Sequence, residues 1–337
     1  MERFTSTEAA ARLGIDEGRL SDLLETHRSR LTTSETEDLE SMSKQVVDEL
    51  RKILMEQTTG AVQPSRSQGA TVFAITSGKG GVGKTSICVN LATEFASRGL
   101  RTILVDVDLG LANAHILAGR SPGKTLSDYI EGHVPLVDVV VDGPKGVKII
   151  SGGSGVKEMA DLNEHGRTRV LEAIDQLKPH CDVILLDTGA GISSNVTDFV
   201  SVADHTLVVT TSNFAAIADA YGIIKVLVQN GYEHAIHMII NRVRSPEEAE
   251  QVFKKLQGCA QRFLGSELNW LGLLPEDHSV EGAVLQRLPF CEAFPTSVAT
   301  RYLKKLVTAL ERYLTVAPTQ VPRRAARSLS RPGSERP

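Results

Sequence analysis

Aromatic residues are scarce in this chain, 4% of 337 residues with one Trp. That residue, Trp270, is expected to pack in the core or at its rim, not to stack on a base. Cysteine is equally sparse. Cys88, Cys181, Cys259 and Cys291 are widely spaced and form no C-x-x-C pair, which argues against disulfides and a zinc site. They read as reduced core residues. The nine histidines form no H-x-x-x-H or His/Cys cluster, so no built-in transition-metal site is expected. Long hydrophobic runs are missing too. No segment reaches the roughly 18–20 apolar residues that span a bilayer. Met1 to Thr5 lacks the apolar core of a signal peptide. These absences lead to the expectation of a cytoplasmic protein. The net charge of −4 says nothing of partners until its distribution is read.

What is present is ordinary in amount. Hydrophobic residues are 41% and charged residues 23%, as in globular proteins generally. The length suits one large α/β domain with appendages, or two smaller domains. From residue 70 to about 315, strand and helix patterns alternate. Strands are expected at 71–76, 101–107, 147–151, 183–187, 206–211 and 236–240. Helices are expected at 167–177, 216–229 and 246–256. Near-continuous Val, Ile and Leu in the strands fits a parallel sheet covered on both faces. The predicted fold class is therefore α/β, a doubly wound and mostly parallel sheet with its ligand at the carboxyl ends of the strands.

The chain is organised around Gly78-Lys79-Gly80-Gly81-Val82-Gly83-Lys84-Thr85, followed by Ser86. An apolar strand precedes it and a helical pattern follows, the context that a phosphate-binding loop needs. The glycines let backbone N–H groups wrap a phosphate, and the helix N-terminus adds partial positive charge. Lys84 would reach the β- and γ-phosphates of a nucleotide, and Thr85 would offer its hydroxyl to Mg²⁺.

Two further segments supply acids at strand ends. Asp106-Val107-Asp108 follows the second strand. Alone, these would read as solvated loop acids. Next to a phosphate loop, Asp108 becomes the candidate for positioning the attacking water, with Asp106 near the Mg²⁺ shell. The run Val183-Ile184-Leu185-Leu186-Asp187 is an apolar strand ending in an acid. Asp187 would hold Mg²⁺ through a water, since Mg²⁺ dehydrates reluctantly. Gly189 and Gly191 would let the next loop approach the γ-phosphate as a switch.

The flanks differ from the centre. Residues 1–56 read as a helical extension, 57–69 as a flexible linker, 70–314 as the main domain and 315–337 as a disordered basic tail. The first two helical pieces, with Thr7 and Asp16 as caps and Gly14 as a stop, resemble a small helix-turn-helix of the excisionase or MerR kind. Residues 1–68 carry 13 acidic and 9 basic side chains, a difference equal to the net charge of the whole chain. Phosphate repulsion makes DNA the less favoured partner and a protein contact the favoured one. Leu39, Met42, Val46, Leu50 and Ile53 form one helical face, expected to pack on the main domain. Near the other end, Leu303, Leu306, Val307, Leu310, Tyr313 and Leu314 form an apolar stripe. A membrane could take it, but core packing is favoured. Arg323, Arg324 and Arg327 of the tail could add attraction to anionic lipid or nucleic acid.

The second lysine in the loop, Lys79, gives Lys-Gly-Gly-Val-Gly-Lys-Thr, which resembles the deviant phosphate loop of the MinD/ParA family of dimerising ATPases. Asp108-Leu109-Gly110-Leu111-Ala112-Asn113, Asp187-Thr188-Gly189-Ala190-Gly191-Ile192, Ala218 to Lys225 and Asn241 to Glu248 narrow it to the FlhG (FleN) subgroup. The resemblance covers roughly residues 70–314. It implies that Lys79 reaches the nucleotide of a second subunit. It also implies that Asn241, Arg242, Pro275, Glu276 and Asp277 surround the adenine. The function so implied is a Mg²⁺-dependent ATP hydrolase, an ATP-switched homodimer that sets flagellar number and placement. Its cofactors are ATP and Mg²⁺. Its partners are a second copy, an FlhF-type GTPase, flagellar switch proteins or a flagellar transcription activator, and a membrane surface at the inner face or cell pole.

Other readings are a ParA- or MinD-like ATPase that positions DNA, the division site or other polar cargo, and a regulator of a transcription activator with little hydrolysis. The chain departs from the subgroup at three places, one being that the usual carboxy-terminal membrane-targeting helix is not obvious. The N-terminal Asp-Gln-Ala-x-x-Leu-Arg element is absent, so stimulation of FlhF does not carry over. Thr211-Ser212-Asn213-Phe214 replaces the usual Thr-x-Pro-Glu.

Overall fold

The computed structural model describes residues 3–13, 15, 17–26, 42–43, 46–47, 50, 53, 69–110, 112–153 and 162–314. The expected caps Gly14 and Asp16, the stripe residue Leu39, Leu111, nearly all of the linker and the basic tail lie outside the described residues.

The first elements form a unit of their own. Strand β1 (Arg3–Phe4) pairs antiparallel with β2 (Met42–Ser43), around helices α1 (Ser6–Leu13) and α2 (Glu17–Thr26). Thr5, not Thr7, caps α1. Its Oγ1 accepts from Glu8 N at 3.3 Å while Glu8 Oε2 accepts from Thr5 N at 2.9 Å, a reciprocal cap. Thr7 instead donates to Glu17 Oε1 at 2.6 Å, tying the two helices. Met42 is not part of the helical stripe, because it pairs in β2. The rest of the stripe also departs from expectation. Val46, Leu50 and Ile53 are buried among Phe4, Leu13, Leu20 and Leu23, and among the described residues the main domain adds only the half-buried Val137 to this cluster.

The main domain is an eight-stranded sheet in the order β10-β9-β8-β3-β7-β4-β6-β5. Its strands are β3 (Thr71–Ser77), β4 (Thr102–Asp106), β5 (Val140–Asp142), β6 (Lys148–Ile150), β7 (Val183–Ala190), β8 (His205–Thr211), β9 (Ile236–Val243) and β10 (Asn269–Pro275). All neighbours are parallel except β5, which runs antiparallel to β6 at the edge. This is the doubly wound α/β sheet that the alternating pattern predicts. The edge strands β5 and β10 were not expected. Val140–Asp142 is short, and Asn269–Pro275 mixes Trp, Gly and Pro into its apolar run.

Helices cover both faces. They are α3 (Lys84–Ser97), α4 (Ala114–Leu117), α5 (Leu126–Ile130), α6 (Glu164–Leu177), α7 (Ser194–Ser201), α8 (Phe214–Gln229), α9 (Pro246–Leu264), α10 (His278–Gln286), α11 (Phe290–Ala293) and α12 (Val298–Leu314). Alternation along β3 divides the core. Val72 and Ala74 pack with Val170 and Ile174 of α6, Phe199 of α7 and Ile223 of α8. Phe73 and Ile75 pack with Ile87, Leu91 and Phe95 of α3 and Leu303, Leu306 and Leu310 of α12. The apolar stripe of α12 thus faces the core, not the surface. Local chemistry sets the helix ends. For α9, Ser245 Oγ accepts from Glu248 N, Pro246 opens the first turn, and Gly265 at φ 62° closes the last.

Cys88 and Cys181 are buried and Cys291 is half-buried, as core cysteines should be, but Cys259 is exposed. Trp270 is 40% exposed, a rim residue packed edge-on against Phe253. Among the described residues, no helix is long and apolar enough to cross a membrane.

Candidate nucleotide-binding site

The loop that leaves β3 is shaped by two close approaches. A Cβ on Gly78 would collide with the Asp219 carbonyl of α8, so the loop lies directly against that helix. Gly83 adopts φ 94°, a left-handed turn that aims the first turn of α3 into the sheet edge. A Cβ there would strike Nδ2 of Asn241. The Ile87 N–H bonds back to the Gly83 carbonyl at 3.0 Å, which starts the helix directly after the loop.

Behind the loop, three charges are buried together. Lys84 Nζ donates to Asp187 Oδ1 at 2.6 Å, with the two residues 7% and 0% exposed. Burial alone would lower the Lys84 pKa, but Asp187 and Asp106 outweigh it and leave it raised. Burial raises Asp187, against the pull of Lys84 and Thr85. Asp187 Oδ2 is buried with no hydrogen-bond partner among the described residues. A buried carboxylate oxygen of this kind calls for a cation or an ordered water. With the Thr85 hydroxyl beside it, the donor set fits Mg²⁺, which takes one or two carboxylates and keeps several waters.

Asp106 is fully buried and serves the backbone. Its Oδ2 accepts from Asn113 N at 2.9 Å and Ala114 N at 3.0 Å, and its Oδ1 from Asp108 N at 3.1 Å. One side chain therefore fixes both ends of the loop that carries Asp108, and starts α4. Burial and the nearby Asp187 push its carboxyl up to about 7.

These elements enclose a cavity of about 670 Å³, within the usual range for small-molecule sites. Lys79, Gly80, Gly81, Gly83, Lys84, Thr85, Ser86, Asp108, Gly189 and Arg242 line it. A Cβ built on Gly189 would stand 3.8 Å from Asp108 Oδ1, so the loops after β4 and β7 meet here. Gly78 and Val82 support the loop from behind, and Gly191 N bonds to Ser77 O at 2.9 Å beside it.

The expected adenine group is only partly assembled. Arg242 lines the cavity, but Asn241, Pro275, Glu276 and Asp277 do not. Pro275 pairs with Val243, and Glu276 N bonds to Val243 O at 2.9 Å. Asp277 caps α10 through Ser279 N and accepts from Ala299 N at 2.9 Å. Asn113, Ile116, Ser193, Asn195 and Phe199 also line the wall. Asn113 closes the Asp108-to-Asn113 motif, but no sequence pattern marked Ile116, Ser193, Asn195 or Phe199, which reach the cavity from a loop or a short helix.

The sequence profile of the CobQ/CobB/MinD/ParA nucleotide binding domain matches residues 73–290. The chain belongs to this family. As a member of the MinD/ParA branch it is 39% identical over 240 residues to the antiactivator FleN of Pseudomonas aeruginosa, covering 71% of this chain and 86% of FleN. It is 29% identical to the flagellum site-determining protein YlxH of Helicobacter pylori, covering 78% of this chain and 89% of YlxH. Among solved structures, MinD of Pyrococcus horikoshii complexed with Mg-ADP superposes at TM-score 0.62 with 26% identity, over 73% of this chain and 98% of that one. The Aquifex aeolicus MinD in a MinC:MinD complex does so at TM-score 0.57 and 26% identity, over 75% and 99%. The chain is thus a MinD/ParA-family protein with a phosphate-loop ATPase fold and the FleN/FlhG resemblance that its motifs carry.

Proposed function

We propose that this chain hydrolyses ATP as a nucleotide-switched homodimer and regulates the number and placement of flagella. The observation that carries the proposal is the phosphate loop with Lys84 held on Asp187 and Asp108 facing the same cavity. Lys84 and the loop N–H groups bind the phosphates. Asp108, held out by the Asp106-anchored loop, orients the attacking water. Thr85 and Asp187 would hold Mg²⁺, which would supply charge neutralisation at the phosphates.

Lys79 supports the dimer. It is exposed at the cavity rim and has no ion-pair partner among the described residues. Exposed Ile192 and Phe214 stand on the same edge and would be covered by a second copy. The flagellum site-determining relative YlxH and the antiactivator relative FleN support a flagellar output, with a transcription activator, an FlhF-type GTPase or switch proteins as partners. The inner membrane face or the cell pole is the proposed location.

The test has two parts. ATP turnover and mass in solution are measured for wild type, Lys79→Ala and Asp108→Ala. Asp108→Ala should hold ATP and remain dimeric without turnover, while Lys79→Ala should stay monomeric with ATP. Turnover by Asp108→Ala at the wild-type rate would remove its assigned role. Flagella are then counted in cells lacking the gene. Extra or misplaced flagella, rescued by wild type and not by Asp108→Ala, are expected. Normal flagella would turn the proposal towards DNA or other polar cargo.

A further inference from the structure

One amide ties two walls of the cavity together. Asn241 lies near the end of β9 and is buried. Its Nδ2 donates to the Val82 carbonyl of the phosphate loop at 2.7 Å. Its Oδ1 accepts from the Arg242 N–H at 2.9 Å. Both ends of the side chain are therefore engaged within the protein, away from the cavity surface.

Each contact adjoins a left-handed backbone. Gly83, next to Val82, has φ 94°, and Arg242 has φ 54°. A residue with a side chain keeps such a conformation only where its surroundings hold it. Gly83 also leaves open the space that Nδ2 occupies. The buried Val82 carbonyl needs a donor, and the part-buried Arg242 N–H gains an acceptor. A primary amide supplies both from one side chain, whereas a carboxylate supplies only the acceptor.

We propose that Asn241 is a positioning residue, a latch that sets the turn at Gly83 and the turn at Arg242 before nucleotide arrives. The latch places the Lys84 end of the loop and one cavity wall in a fixed relation through β9. The inference rests on the nucleotide-binding reading of the cavity, and its test separates the two.

The test compares the full-length wild type with Asn241→Ala and Asn241→Asp, without nucleotide, by amide hydrogen exchange over residues 82–88. MgATP affinity is measured on the same proteins by calorimetry. Asn241→Asp keeps the shape and the acceptor but sets a carboxylate against the Val82 carbonyl. Both variants should exchange at least tenfold faster in this segment, with β8 and β10 unchanged, and bind MgATP at least tenfold more weakly.

Wild-type exchange with weakened MgATP binding would reduce Asn241 to a base contact and overturn the latch. Restoration of both properties by Asp would reduce it to a space filler and overturn it as well. Should Asn241→Ala fail to fold, the isosteric Asn241→Asp carries the decision. Faster exchange in the variants, from a wild type that binds no MgATP, would support the latch and remove the nucleotide reading.

Discussion

The two edges of the sheet both bury titratable side chains, and they handle them in opposite ways. At the carboxyl edge, Lys84 and Asp187 form a buried ion pair at 2.6 Å, and three backbone donors satisfy Asp106. At the amino edge, His205 and His237 sit among rings. Tyr313 of α12 lies 4.4 Å from the His205 ring and 4.8 Å from the His237 ring, and Phe73 lies 5.4 Å from His205. Both nitrogens of His237 and Nδ1 of His205 lack hydrogen-bond partners among the described residues. Burial lowers the pKa of both rings, His237 to about 4. One edge holds its groups with an ion pair and backbone hydrogen bonds, and the other favours the neutral rings by burying them among aromatics. Only the first has anything to offer a phosphate and a metal ion.

Removing one partner at the charged edge should have the largest effect. Lys84→Ala leaves Asp187 buried without its cation, a loss of about 3–5 kcal/mol. Denaturant unfolding at pH 7 measures it, and adding Asp187→Asn should recover most of it. A cost under about 1 kcal/mol would mean that the pair is no charged pair, and the contrast would collapse.

The neutral edge should show itself in pH. Well above pH 6.5, His237 is neutral whether the chain is folded or not. As pH falls, the unfolded chain takes a proton that the folded ring refuses until about 4. Stability is therefore lost across that window, by at most about 3 kcal/mol. Thermal melts from pH 7 to 4 should fall less steeply for His237→Phe, and equal slopes would rule out the assignment.

Gly78→Ala forces the phosphate loop off the Asp219 carbonyl. It should cost about 1–3 kcal/mol, as overpacking does. A matching loss of ATP affinity would show that the charged edge depends on its seat against α8. Arg98 is the control. It bridges Glu94 at 3.0 Å and Glu311 at 2.8 Å between α3 and α12, partly in solvent. Arg98→Ala should cost about 1 kcal/mol or less, and less again in high salt.

The charged edge was legible in the sequence because its parts are contiguous. Gly78 to Thr85 must turn, donate N–H groups and start a helix within eight neighbouring positions, and few residue types allow that. Asp187 was legible as an acid ending an apolar run. The job of Asp106 was not, since its partners Asn113 and Ala114 meet it only when the loop folds back. Asn241 likewise announced a polar group at a strand end but not the carbonyl it serves, which lies 159 residues away. The strands β3, β4 and β7 declared themselves by being covered on both faces. β10 is covered less completely at its start, so Asn269 and Trp270 blurred it.

β3 is the first strand of the sheet to be synthesised, yet its neighbours are β7 and β8. Thr188, which donates to the Ile75 carbonyl, follows it by 113 residues. A nascent chain emerging from the ribosome therefore exposes Val72 to Ile75 with both strand edges unpaired until β7 has cleared the exit tunnel, and with one edge open until β8 follows. Closing loops of that length slows folding. The phosphate loop hangs from the end of this waiting strand, so the candidate nucleotide site is encoded early and completed late. That interval is when the chain is most exposed to aggregation and to chaperones.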